Sequence, residues 1–150
     1  MKKCLFAALF IVLMAAQVAC AGTKLSRAAV DGDLDLVKER VEKKGENVNE
    51  IDKWGWTALM WAVYYGNYPV TQYLLEHGAD PNIKTEAEYG RYLPGTTALI
   101  LAAAYGHDDA VAALLKKKAD SSVTDRNGKR AIDYAKEYQF DKCVALLKGK

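Results

Sequence analysis

Few side chains in this sequence could do chemistry. His107, Asp108 and Asp109 stand together and offer an imidazole and two carboxylates, a set that could ligate a divalent cation. Ser26 offers a hydroxyl, but a nucleophilic serine needs a base within reach and a third group to orient that base. No histidine lies near Ser26 in sequence, and it falls on a first, capping helix. Cys143 occupies an apolar helical position, in register with Val70 and Ala110. There it reads as a buried structural thiol rather than a redox centre. His77 precedes Gly78 and His107 follows Gly106, so both histidines stand at turns. The sequence has no G-x-x-x-x-G-K-[ST], G-x-G-x-x-G, H-E-x-x-H or C-x-x-C. The expectation is a non-enzyme with no catalytic residue, no metal site and no cofactor.

Composition narrows the class further. The 150 residues are 51% hydrophobic and 27% charged, which excludes a disordered or fibrous chain. That length allows one domain or one repeat array. The net charge of +2 comes from 21 basic and 19 acidic residues, and Lys2 and Lys3 supply the whole excess. The remainder is neutral and lacks the positive footprint that phosphate binding needs, so nucleic acid is not an expected partner.

Residues 1–21 read as an address. Lys2 and Lys3 precede an uncharged apolar run from Leu5 to Ala16, and small residues follow. These are the parts of a secretory signal peptide. Ala19-Cys20-Ala21 fits cleavage before Gly22. Val18-Ala19-Cys20 also resembles the end of a bacterial lipoprotein box, although Gln17 departs from it. That resemblance implies cleavage before Cys20 and a lipid on its thiol. Both routes imply export, either to the periplasm or to an envelope membrane through Cys20.

The rest of the chain repeats. Leu59-x-x-Ala62-x-x-x-Gly66 matches Leu99-x-x-Ala102-x-x-x-Gly106, Leu25-x-x-Ala28-x-x-x-Gly32 and Ile132-x-x-Ala135, where Gln139 replaces the glycine. The leading residues are 34, 40 and 33 apart. Gly78-Ala79-Asp80-Pro81-Asn82 recurs as Lys118-Ala119-Asp120-Ser121-Ser122, and Asp52-x-x-Gly55-x-Thr57 as Asp125-x-x-Gly128-x-Arg130. Each unit holds a short apolar helix, a glycine turn and a second helix, and none can bury its face alone. Pro69 suits the start of a second helix, where its missing N–H costs nothing.

These landmarks resemble the ankyrin repeat family in period and pattern, over residues 24–148. Ala58, Ala98 and Ala131 stand where that family has proline, and Met60, Ile100 and Asp133 where it has histidine. The resemblance implies an all-α solenoid of about four helix-turn-helix units with short β-turn fingers. The units span about 24–49, 50–82, 83–122 and 123–150, the domain as a whole 24–150. Polar residues on the outer faces of the first and last units suit them as caps. The long third step places an insertion at 85–94, and insertions in such arrays map to loops on one face, often the binding face.

The resemblance also implies a concave groove, formed by finger tips and the outer part of each first helix, that binds a partner protein. Nine tyrosines and three tryptophans are available, and aromatics dominate these positions. Trp and Tyr offer large contact area at low entropic cost. The expected contact residues are Lys53, Trp54, Trp56, Tyr64, Tyr65 and Tyr105, with Tyr89, Arg91 and Tyr92 from the insertion. Trp54, Trp56 and Tyr64 are the expected anchors. Tyr65, Tyr105 and Tyr138 share one register, which also suits packing between units. The expected function is a monomeric, non-catalytic interaction module in the bacterial cell envelope. An immunity-type inhibitor of an envelope toxin or enzyme is the alternative, and stacking on sugars is a third use of such aromatics.

Overall fold

The computed structural model describes residues 23–86 and 94–149. The expected leader at 1–21, its Cys20, and the insertion side chains Tyr89, Arg91 and Tyr92 lie outside the described residues.

Among the described residues are eight α-helices: α1 Lys24–Asp31, α2 Leu34–Lys38, α3 Ala58–Tyr64, α4 Tyr68–Glu76, α5 Ala98–Tyr105, α6 Asp108–Lys116, α7 Ala131–Glu137 and α8 Asp141–Lys148. A π-helical turn, Glu39–Lys43, extends α2. Helices this short are marginal alone, so packing must hold them. They form two layers. The first helices of the units, α1, α3, α5 and α7, lie side by side, and the second helices α2, α4, α6 and α8 back them.

Local chemistry sets the start of each first helix. Thr23, Thr57 and Thr97 are N-caps whose hydroxyls accept from Ser26, Met60 and Ile100 amides at 3.0, 3.2 and 3.4 Å. In the last unit Arg130 has no acceptor to offer. The carboxylate of Asp133 takes over, accepting from the Arg130 amide at 3.0 Å and from its guanidinium at 3.1 Å. Asp133, which departs from the family pattern, therefore caps its own helix.

Close approach sets the turn between the two helices. A Cβ on Gly106 would lie 2.6 Å from Cδ1 of Phe140 in the next unit, so only glycine lets the two units meet there. In the last unit Gln139 holds the same left-handed turn at φ 61°.

Burial follows the stack. Every residue of α3, and α5 from Ala98 to Ala104, is buried, because units lie on both sides of them. In α1 only Leu25, Ser26, Ala28 and Ala29 are buried, and in α7 only Ala131, Tyr134 and Ala135. The end units present one apolar and one polar face, as caps must.

A side-chain staple joins consecutive units at the far end of the turns. Asn49 donates to the Gly78 carbonyl at 3.2 Å and accepts from the Asp80 amide at 2.8 Å. Asn82 repeats both bonds one unit later, to Lys118 at 3.3 Å and Asp120 at 2.8 Å. Ser122 holds the next position, and its hydroxyl turns back to Asp120 at 2.6 Å.

Candidate functional site

Each finger is built around one buried polar side chain. In unit two it is Asp52. One of its oxygens accepts from the Trp54 and Trp56 amides at 2.9 and 3.0 Å, and the other accepts from Trp61 Nε1 at 2.7 Å. Asp125 repeats this in unit four, taking the Asn127 and Lys129 amides at 2.9 and 3.0 Å and the Tyr134 hydroxyl at 2.5 Å. Burial and that bond push the Tyr134 hydroxyl well above the usual tyrosine range. The short antiparallel bridges Ile51–Thr57 and Thr124–Arg130 close these two fingers.

Unit three uses another solution. Thr85 holds the place of the aspartate, bonding Thr96 through backbone at 2.9 Å and through its hydroxyl at 3.1 Å. On the first helix Leu101 holds the register position of Trp61 and Tyr134 and needs no acceptor. Carboxylate and hydrogen-bonding aromatic are thus absent together. Thr96 follows Thr85 by eleven positions where Trp56 follows Asp52 by four, so seven extra residues fall between the two sides of this finger. The stem of the insertion is pinned on both sides. The Glu86 backbone lies 2.7 Å from where a Cβ on Gly55 would stand, and the Pro94 carbonyl accepts from the Arg126 amide at 3.0 Å.

An aromatic cluster fills the space between fingers and first helices. Trp56 and Trp61 rings lie 4.5 Å apart, Trp54 meets Trp61 edge-on at 6.1 Å, and Tyr64 meets Tyr105 edge-on at 4.9 Å across the junction of units two and three. Such offset and edge-on pairs add to plain area burial.

This packing corrects the expected anchors. Trp56 is 0% and Tyr64 8% exposed. Trp56 is held beneath the fingers by Asp52, and Tyr64 is wedged between Trp56 and Tyr105. Both are core residues, so they offer no contact area in this conformation. Trp54 is half-buried, with Lys53 Nζ 4.4 Å over its ring. Tyr65 and Tyr105 are half-buried, and Tyr138 is 37% exposed. The three tyrosines end their first helices in one register, and Asp31 holds the same place in unit one. Burial, then Tyr105 and Asp31, raise the Tyr65 hydroxyl above its ordinary value, so it stays neutral.

The other chemical candidates are structural. Ser26 is buried and takes the Thr23 hydroxyl at 2.9 Å. Asp108 faces Lys142 at 3.6 Å. Cys143 is buried, and burial together with Asp108 raises its thiol above the ordinary range, which suppresses thiolate chemistry. One surface residue escaped the sequence reading. Ile51, 41% exposed, sits on the finger beside Lys53 and Trp54. Its signal was an apolar residue directly before the finger aspartate.

The comparisons agree with this architecture. A family model described as ankyrin repeats in three copies matches residues 8–85 and 85–150. The ankyrin repeat and SAM domain-containing protein 6 of Rattus norvegicus is 43% identical over 67 residues, 45% of this chain and 8% of that protein. The DNA-binding protein RFXANK of Homo sapiens is 41% identical over 59 residues, 39% of this chain and 23% of that protein. The target of rapamycin complex 2 subunit AVO2 of Saccharomyces cerevisiae is 28% identical over 128 residues, 84% of this chain and 29% of that protein. This chain spans less than a third of each of these relatives. With the period, the capped first helices, the stapled turns and the family model all in one register, the chain belongs to the ankyrin repeat family.

Proposed function

We propose that this chain is an exported interaction module of the bacterial cell envelope that holds one partner protein against its finger tips and tyrosine row. Ankyrin repeats are protein–protein interaction modules and are generally not catalytic. The observation that carries the reading is the line of part-exposed aromatics, Trp54, Tyr65 and Tyr105 packed on the buried aromatic cluster and Tyr138 packed on Tyr134. Large, pre-ordered aromatic surface beside a cation is what an interface anchor needs. Tyr89, Arg91 and Tyr92, expected contacts from the sequence, lie outside the described residues. The module works as a monomer.

The basic start and apolar run of residues 1–21 support export. Cys20 then decides between a lipid anchor and a soluble periplasmic form. Palmitate labelling that disappears in Cys20→Ser would establish the anchor. Unlabelled protein cut before Gly22 would establish the soluble form, and unprocessed protein in the cytoplasm would refute export.

The test of the surface is capture of one protein from envelope extract by the parent and by a Trp54→Ala/Tyr105→Ala variant, each first shown to melt cooperatively. The expected result is loss of that protein from the variant. Equal capture by both would move the interface off this face.

A further inference from the structure

The residue after the inter-helix turn has one task in three successive units. Asn67, His107 and Phe140 each lie over the turn glycine of the unit before, Gly32, Gly66 and Gly106. Asn67 also closes the end of α1, donating to the Ala29 and Val30 carbonyls at 2.7 and 3.0 Å. His107 does the same for α3, through a hydrogen bond to the backbone of Tyr64, the residue in register with Val30. Phe140 offers only its ring.

An imidazole that donates through one nitrogen keeps a lone pair on the other while it is neutral. In His107 that other nitrogen is Nε2, which is buried and has no hydrogen-bond partner among the described residues. The ring lines a small pocket of about 130 Å³ between units two and three, with Val63, Gly66, Tyr68 and Thr71. A second proton would turn Nε2 into a buried donor with no fixed acceptor, which is costly.

The charged and titratable groups around the ring do not rescue it. Asp108 and Asp109 come from α6 itself, Tyr68 from α4, and Tyr105 from α5, stacked 6.0 Å away. Lys142 of α8 competes for Asp108 at 3.6 Å. Burial outweighs the Tyr64 bond and Asp108 and holds His107 below the usual histidine range. The folded chain therefore binds this proton less readily than the unfolded chain. Stability from this group is complete above the ordinary histidine value, about 6.5, and is lost as pH falls from there toward the lowered folded value.

We propose that His107 is an acid-sensitive latch between units two and three: a proton on its ring loosens α3 from α5 and misaligns Tyr65 and Tyr105. The latch is independent of which partner the module holds. Asn67 suggests the control, because His107→Asn keeps a neutral capping donor that does not titrate. Thermal melts of parent and H107N from pH 7.5 to 5.0 would read it, since the carboxylates contribute alike to both. The melting temperature of the parent should fall further than that of H107N. Equal slopes would overturn the latch. Should H107N not fold, an NMR titration of His107 in the parent decides: protonation only well below the ordinary range supports the latch, and protonation at or above it refutes it.

Discussion

Among the described residues, two with side chains hold left-handed backbone, Lys118 at φ 63° and Gln139 at φ 61°. Glycine fills the same places at Gly78 and at Gly66 and Gly106. Left-handed backbone costs an ordinary residue roughly 1 kcal/mol that glycine avoids. Lys118→Gly and Gln139→Gly should each raise stability by about 0.5–1 kcal/mol, read as a higher urea midpoint at unchanged slope. The tryptophans give a sharper contrast. Trp56→Ala should cost about 3–5 kcal/mol, as a buried aromatic does. Trp54→Ala should cost about 1–2 kcal/mol, since it loses only part of its area and one cation–π contact. Repeat register alone put both tryptophans at the finger and could not separate them. What separates them is a tertiary cluster that no spacing rule displays, in which Trp56 packs against both Trp61 and Tyr64. The same holds for Tyr64 and Tyr65, neighbours in sequence, the first buried and the second half-buried.

Fingers are the elements in which hydrogen bonding, more than apolar periodicity, sets the shape. Asp52→Ala would leave two backbone amides and the Trp61 indole N–H without their acceptor, at about 1–3 kcal/mol for each donor that water cannot reach. Asp52→Asn should do less harm, because its carbonyl can still accept from both amides. Thr85→Ala should cost about 1 kcal/mol, the loss of one bond from the Thr96 amide. Chemical denaturation of the three variants checks the order. The helices themselves were legible from the Leu-x-x-Ala-x-x-x-Gly register, and the insertion from the broken period. That Thr85 takes the place of the finger aspartate was not, because unit three carries no finger motif. The equivalence of Thr85 to Asp52 emerges only from their bonds to Thr96 and Trp56.

Across the whole molecule, stability should fall from the middle of the stack outward. A solenoid gains its stability unit by unit, through neighbours. Units two and three have two neighbours and first helices buried throughout except Tyr105, whereas α8 buries only Cys143 and Leu147. Amide exchange should therefore be slowest in α3 and α5 and fastest in α8 and α2. Uniform protection would mean that the array opens as a single unit. The staple that runs through Asn49 and Asn82 and stops at Ser122 bears on how such an array can lengthen. A unit duplicated inside the array inherits an asparagine on each side and clips onto both neighbours. The clip travels with the unit that carries it, so internal copying lengthens the array without a new joint.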